Sequence, residues 1–188
     1  AQAICARVRA KREFAGYWEY LLDEAIFTAP PHPTWGGAGL IGHDGTLRGI
    51  GSLFVQQIVP NKGPVNGNMI VPIDILKPIM GDMLKFGRTN RPPRPWLGMM
   101  TTEMDENLVV AGLVDGGPAQ QANVQVGDFV IGVNGQPVSE LAYMFRTIWA
   151  TGEAGVEIPL TLSRDGELFD LSIKSVNRAD LLKSPQVH

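Results

Sequence analysis

The sequence has one cysteine and three histidines, and it lacks both a basic run and an apolar run of membrane-spanning length. Cys5 excludes an internal disulfide and has no second ligand at metal-binding spacing, so we expect no metal and no cofactor. The net charge of −3 argues against nucleic acid as a partner. No membrane span is expected, because a spanning helix needs about 20 apolar residues.

Glycine and proline are abundant, with 22 and 14 residues in a chain of 188. This composition favours many short strands and turns over long helices, and the 44% of hydrophobic residues suffice for a core. We therefore predict a mainly β fold with some α. Residues 1–5 are too short for a signal peptide, so we expect a cytoplasmic protein, or a mature or truncated form of a larger one.

The first third of the chain has clear local signals. The alternation of residues 4–9 and the aromatic run of residues 17–22 predict strands. Residues 29–33 contain three prolines, which remove backbone donors and fix φ, so they must form a loop. Asp44 and Gly45 lie between two apolar runs and predict a hairpin turn.

The first amphipathic pattern extends over residues 73–86 and predicts a helix that Gly87 ends. Pro78 lies inside this pattern and should kink the helix or move its start later. A polar loop is predicted before it, over residues 60–68. The Pro/Arg-rich segment of residues 88–95 is the best candidate for a linker between domains.

After this linker the pattern changes to buried strands separated by tight turns. Residues 108–114 are predicted to be a buried strand, and a final hairpin is predicted around Asp165 and Gly166. Ser139 is the predicted N-cap of a second helix. The tail, residues 177–188, is predicted to be polar and frayed. The apolar face of the second helix comprises Leu141, Met144, Phe145, Ile148 and Trp149.

The segment of residues 95–100 follows the linker and has Gly98 between apolar neighbours. A turn of this kind that leads into a strand can direct successive N–H groups into one concavity. Such a nest binds an anion, for instance the terminal carboxylate of a peptide. The alternative, from these residues alone, is a buried strand start with a glycine kink.

The turns Pro118-Ala119, Gly127-Asp128 and Asn134-Gly135 follow one another ahead of the second helix. In this order they closely resemble a PDZ domain of the bacterial HtrA (DegP-like) type over about residues 95–176. The resemblance implies a β-sandwich or partly open barrel with two helices. It also places residues 96–99 at the carboxylate-binding loop.

The resemblance implies that the N–H groups of Leu97, Gly98 and Met99 hold a terminal carboxylate while the peptide adds as a strand. Peptide or protein C-termini are therefore the expected partners. A buried core would use the same residue types, so this alternative stays open. No histidine lies near the second helix, and we expect apolar C-termini for that reason. The implied peptide-binding residues are Trp96, Leu97, Gly98, Met99, Met100, Leu141, Phe145 and Ile148.

Residues 22–26, the Gly36-Gly37 pair and Ile70-Val71-Pro72 look like the closing part of a trypsin-like protease domain of the same family. The resemblance implies a partial chymotrypsin-like β-barrel in the first half of the chain. The predicted organisation is a partial protease domain, a linker, a PDZ domain and a tail, at residues 1–87, 88–95, 96–176 and 177–188.

The residues before the Gly-Gly pair depart from the family pattern. Trp35 lies where the family has its nucleophilic serine, and it cannot form an acyl-enzyme. Pro33 lies at a position that supplies an oxyanion-hole N–H, and proline has none. Thr34 is the only hydroxyl of this loop and His32 its only histidine, while His43 is predicted to be a solvated turn residue. No catalytic residue is therefore predicted.

Three functions remain open at this point. The chain is a catalytically inactive HtrA-like binding module, a portion of an active serine endopeptidase whose triad is completed elsewhere, or a structural platform for oligomers. The family resemblance implies a periplasmic or cell-envelope location. We also expect a homo-oligomer, because half of a two-barrel protease exposes an apolar face.

Overall fold

The computed structural model describes residues 3–56 and 65–181. The fold within these ranges is mainly β, as predicted, with two antiparallel sheets, no closed barrel and four short helices. The chain divides into two compact units. The first comprises Ala1–Phe14 and Leu22–Asn90, and the second comprises Ala15–Leu21 and Arg91–His188.

The first unit is built on a five-stranded sheet with the order β1-β2-β5-β4-β3. Its largest fully buried side chains are Phe27 of β2 and Met69 of β5, which form a paired register position in the middle of the sheet. The strands are Arg7–Gly16 (β1), Tyr20–Ala29 (β2), Gly39–Ile41 (β3), Leu47–Val55 (β4) and Gly67–Pro72 (β5).

The hairpin predicted at Asp44-Gly45 is confirmed, because β3 and β4 pair on either side of it. The strand predicted for residues 17–22 is wrong in its first part. Residues 17–19 form a turn, and β2 begins only at Tyr20. Glu19 has φ +59, and this left-handed backbone reverses the chain where an extended strand was expected.

The helix predicted for residues 73–86 begins later than its apolar pattern does. A single 3-10 turn covers Ile73–Ile75, and the α-helix α1 covers only Met80–Phe86. This delayed start is the one expected from Pro78, which cannot donate a helical hydrogen bond. Gly87 ends the helix at φ +66, as predicted. The predicted loop of residues 60–68 lies mostly outside the described residues, and β5 already begins at Gly67.

The second unit is built on a sheet with the order β11-β10-β8-β7-β6, and β9 pairs with β8. Strand β6 is therefore an edge strand of this sheet. The strands are Met99–Met104 (β6), Asn107–Leu113 (β7), Phe129–Val133 (β8), Gln136–Pro137 (β9), Glu157–Arg164 (β10) and Glu167–Lys174 (β11). The helices are Pro118–Gln121 (α2), Leu141–Ala150 (α3) and Arg178–Leu181 (α4).

Helix α3 covers one face of this sheet with its apolar side. The predicted Ser139 N-cap is wrong, since the N-cap residue is Glu140 and it makes no side-chain capping bond. Instead, Glu103 on β6 accepts the Leu141 N–H at 2.7 Å, so a strand supplies the missing acceptor. The predicted apolar face is confirmed: Leu141, Met144, Phe145 and Ile148 are buried, and Trp149 is partly buried.

The turn at Gly127-Asp128 is held by a charged pair. The Asp128 carboxylate, which is 1% exposed, accepts two bonds from Arg164 at 2.6 and 2.7 Å and one from the Gln125 N–H at 2.8 Å. Burial raises the pKa of Asp128, but these three bonds outweigh burial and hold that pKa below its usual value. The turn is therefore fixed by tertiary contacts as well as by its glycine.

The predicted frayed tail begins with a short helix, α4, so that prediction is wrong for residues 178–181. The rest of the tail, including His188, lies outside the described residues. Within the part of the chain that the structure describes, no helix has the length and apolar character needed to cross a bilayer.

Candidate functional site

In the loop of residues 96–99, the carbonyl groups and the N–H groups have different hydrogen-bond partners. The Leu97 carbonyl accepts the Ala119 N–H at 2.9 Å, and the Gly98 carbonyl accepts the Val114 N–H at the same distance. Gly98 has φ +71, a left-handed conformation that glycine adopts without the penalty of other residues. The carbonyls are thus tied to the body of the unit, and the N–H groups are left to face another ligand.

Three consecutive N–H groups of this loop converge on one carboxylate oxygen. Glu19 Oε1 accepts from Leu97 at 3.3 Å, from Gly98 at 2.9 Å and from Met99 at 3.3 Å. The Leu97 N–H also reaches Glu19 Oε2 at 3.4 Å. Successive N–H groups aimed at one anion form a nest. The three N–H groups of Leu97, Gly98 and Met99 are therefore the nest of this loop.

The carboxylate in the nest is largely removed from solvent. Burial raises the pKa of Glu19 to about 7, and the hydrogen bonds from the nest and the charge of Arg178 only partly oppose this rise. Glu19 is partly exposed as a whole residue, so the desolvation concerns its carboxylate rather than its entire side chain.

The edge strand β6 leads directly out of the nest and has an outward-facing donor. The Thr101 N–H donates to the Tyr17 carbonyl at 3.0 Å. Tyr17 and Glu19 therefore contact the same edge of the sheet, two residues apart in sequence. A backbone carbonyl on an edge strand and a carboxylate in an adjoining nest are the contacts that a peptide makes when it adds to such an edge.

The predicted peptide-binding residues lie in three different settings. The five residues predicted to line a peptide pocket are all buried and belong to one apolar cluster: Leu97, Met99, Leu141, Phe145 and Ile148. Met100 lies on β6 with a partly exposed side chain. Trp96 is buried outside that cluster, and its backbone exchanges two hydrogen bonds of 3.1 Å with Val176. Trp96 thus anchors the start of the loop.

Glu19 is the residue of this site that the sequence did not reveal. It stands between aromatic residues that favour a strand, and no Asn-Gly or Asp-Gly pair marks a turn there. The only local signal is that Glu19 interrupts a run of aromatic residues, and that this run directly follows Gly16. A glutamate in the left-handed conformation is uncommon, so no propensity rule predicts it.

The loop of residues 32–38 in the first unit uses its N–H groups internally. Thr34 donates its N–H to His32 Nδ1 at 3.1 Å, and its hydroxyl lies 3.2 Å from the same nitrogen. Gly37 donates to the Gly51 carbonyl at 2.9 Å, and Ala38 donates to that of Trp35 at 3.1 Å. The N–H groups of Thr34, Gly37 and Ala38 thus have acceptors within the loop or on the neighbouring strand β4.

The prediction for His43 is confirmed, because His43 is an exposed residue of the hairpin turn. Across residues 3–56 and 65–181, no three His, Cys, Asp or Glu side chains gather in an arrangement that could hold a metal ion.

The sequence was compared with protein families and with known proteins. The family model of the PDZ domain matches residues 95–175. A probable periplasmic serine endoprotease, DegP-like, from Pseudomonas putida is 27% identical over 158 residues, which are 76% of this chain and 31% of that protein. The periplasmic serine endoprotease DegP of Escherichia coli is 26% identical over 150 residues, 73% of this chain and 30% of that protein.

The solved structure of the HtrA-type protease AlgW with decapeptide has the same fold. It superposes with a TM-score of 0.51 at 21% identity and covers 82% of this chain and 50% of that one. The chain spans less than a third of the length of both curated relatives. Residues 95–175 therefore match the PDZ domain family, and the chain is similar over most of its length to the HtrA/DegP serine proteases.

Proposed function

We propose that the second unit binds the C-termini of peptides or proteins, with the terminal carboxylate in the nest and the peptide backbone along β6. The observation that carries the proposal is the convergence of three N–H groups on one carboxylate oxygen. The match to the PDZ family supports it, because PDZ domains bind peptide C-termini by strand addition.

The proposed ligands end in apolar residues. The residues predicted to line the pocket are apolar and form a buried cluster, and no histidine occurs on helix α3. Burial of a charged or hydroxyl-bearing side chain there would leave polar groups without partners. A C-terminal peptide array tests this preference. Selection of charged or Ser/Thr-coded C-termini over apolar ones would contradict it.

Carboxylate recognition has a direct test. Fluorescence anisotropy compares two copies of one apolar peptide, one with a free C-terminal carboxylate and one amidated. The free acid is expected to bind at least about tenfold more tightly, since hydrogen bonds to a charged group contribute about 1.5–3 kcal/mol. Equal affinities would overturn the proposal.

We also propose that this chain is not itself a protease. The first unit has Trp35 at the position assigned to the nucleophile and Pro33 at that of an oxyanion donor. Neither can do the chemistry, because tryptophan has no nucleophilic atom and proline has no N–H. The hydrogen bonds of residues 32–38 support this proposal, since the N–H groups of Thr34, Gly37 and Ala38 already have acceptors within the first unit and do not replace the donor that Pro33 lacks.

The competing function is that of an active serine endopeptidase whose triad is completed elsewhere. The names of the DegP relatives favour it. A casein or fluorogenic-peptide assay separates the two. Turnover that a serine-directed inhibitor abolishes would establish the competing function, and no turnover is expected under the proposal.

Location and assembly complete the proposal. We place the protein in the periplasm or cell envelope, as the names of the relatives suggest, and cell fractionation tests this. We propose self-association of the first unit, supported by the exposed apolar side chains of α1, of which Leu84 is 83% exposed. A monomeric sedimentation profile at micromolar concentration would contradict it.

The domain boundaries at residues 87, 95 and 176 are also part of this proposal.

A further inference from the structure

We infer that the turn of residues 17–19 is an internal ligand of the nest, and that external C-termini bind only by displacing it. The inference rests on the proposed peptide-binding function and adds the regulation of that site. The three N–H groups that a terminal carboxylate needs are engaged by Glu19. Two carboxylates cannot share them, so binding of the turn and binding of a peptide exclude each other.

The turn imitates a bound peptide at two points. Its carboxylate accepts from all three donors of the nest, and two residues earlier the Tyr17 carbonyl accepts the Thr101 N–H at 3.0 Å. Leu21, just after the turn, packs against the apolar cluster that contains the predicted pocket residues. Carboxylate, backbone and apolar contacts are thus all present, and they are supplied by the chain itself.

The turn is nevertheless an imperfect ligand. Glu19 adopts φ +59, which is unfavourable for a residue with a side chain. Its carboxylate is desolvated at a cost that the nest does not fully offset, as the raised pKa shows. Among the described residues, the buried Thr101 hydroxyl has no hydrogen-bond partner. A free peptide without these constraints can therefore compete for the groove.

Occupancy by the turn depends on pH in a defined direction. The pKa of Glu19 is about 7 in the docked turn, against 4.5 for an unperturbed glutamate. Between pH 4.5 and about pH 7, docking of the turn is therefore accompanied by protonation of the Glu19 carboxylate. Docking is therefore strongest below about pH 4.5 and weakens as the pH rises through about 7. Arg178 is the charged group that acts on this carboxylate, and it opposes the shift without cancelling it.

Two independent readouts test the inference on the full chain. The first is the affinity for a fluorescein-labelled peptide that ends in Leu-Val-Val with a free carboxylate. Glu19→Ala is expected to bind it about tenfold more tightly than the unaltered chain, if the turn occupies about nine-tenths of the nests. Glu106→Ala is the matched control, because Glu106 is an exposed turn glutamate with φ +64. It is expected to leave the affinity unchanged.

The second readout is the amide resonance of Gly98, which needs no peptide. It is expected to titrate with a midpoint near pH 7 in the unaltered chain and to stop titrating in Glu19→Gln, which keeps an acceptor oxygen but no charge. The ratio of the two peptide affinities, Glu19→Ala over unaltered, should also shrink as the pH rises through about 7.

The outcomes separate the inference from the function beneath it. If both proteins bind the free acid equally well and Gly98 does not titrate, the internal ligand is overturned and the peptide-binding function stands. If Gly98 titrates through Glu19 but no variant binds the peptide, the turn does occupy the nest. Displacement by peptides and the proposed function then both fail.

Discussion

Two loops of this chain are built around a left-handed glycine, and they differ in what their N–H groups contact. Gly98 has φ +71, and the donors around it converge on a carboxylate. Gly37 has φ +79, but its N–H donates to the Gly51 carbonyl within its own unit. A left-handed glycine therefore does not make an anion site by itself.

The acceptors available to the loop N–H groups explain the difference. In the nest, the Leu97 and Gly98 carbonyls accept bonds from the body of the unit, and the loop N–H groups are left to face a ligand. In the loop of residues 32–38, Pro33 has no N–H and Thr34 donates to His32 Nδ1. An anion site needs donors that local turns have not already satisfied.

The largest expected effect removes the support beneath the nest. Phe145→Ala deletes a fully buried ring from the apolar cluster that also holds Leu97 and Met99. We expect the free energy of unfolding of the second unit to fall by about 4 kcal/mol, since a large cavity replaces the ring. Urea unfolding measures the loss.

Tyr143→Ala is the matched control on the same helix, because Tyr143 is 46% exposed. It should change stability by no more than about 0.5 kcal/mol. Similar losses for both variants would show that the cluster does not support the nest as described.

The next effect concerns the loop of the first unit. A Cβ at Gly51 would overlap the Trp35 carbonyl oxygen, a backbone atom that cannot rotate away. Gly51→Ala should therefore destabilise the first unit by about 3 kcal/mol. Gly36→Ala is the control, since a Cβ there meets nothing within 4 Å. Equal urea midpoints for the two variants would mean that the closed turn is not held against β4.

A smaller effect tests the conformation of the nest itself. Gly98→Ala forces a side chain into a left-handed backbone and should cost about 1–2 kcal/mol of stability. Its Cβ would also come within 3.2 Å of the Trp96 ring. We therefore expect loss of binding to free-acid peptides, measured by anisotropy, because the Gly98 N–H is displaced.

Gly116→Ala separates conformational strain from the nest. Gly116 has φ +68, close to that of Gly98, and a Cβ there meets no atom within 4 Å. This variant should lose comparable stability but keep its affinity for the peptide. Loss of binding in both variants would argue that strain alone abolishes the site.

The last variant, Trp35→Ser, is expected to have no effect on protease activity. Trp35→Ser supplies a hydroxyl, but Pro33 still lacks an N–H, and the N–H groups of Thr34, Gly37 and Ala38 keep their acceptors within the first unit. No turnover of a fluorogenic peptide is expected, because loss of an oxyanion donor costs about 100- to 1000-fold even in an intact site. Turnover blocked by a serine-directed inhibitor would show that the two loops are more alike than the structure indicates.

The sequence predicted the features that depend on local chemistry. The spacing of the α3 residues predicted their buried face, and Pro78 predicted the late start of α1. Gly98 and its apolar neighbours left a nest and a glycine kink open, and only the resemblance to a PDZ domain favoured the nest. The assignment of the nest as a peptide site remains a proposal. These features follow from backbone freedom, periodicity and a missing donor, which can be seen in neighbouring residues.

The features that the sequence did not predict depend on residues far apart in the chain. Glu19 takes a left-handed turn and contacts a loop 78 to 80 residues away. Glu103 replaces the expected Ser139 cap from a strand 38 residues before the helix. Tertiary hydrogen bonds decided both, and they override the local preferences of an aromatic run and of a serine.

One measurement tests most directly whether the nest binds a terminal carboxylate. A ¹H–¹⁵N spectrum is recorded while an apolar peptide is added, first with a free C-terminal carboxylate and then amidated. The free acid is predicted to shift the amide resonances of Leu97, Gly98 and Met99, and to leave those of Gly37 and Ala38 unchanged. Identical shifts with the amidated peptide, or shifts confined to the loop of Gly37, would contradict the account.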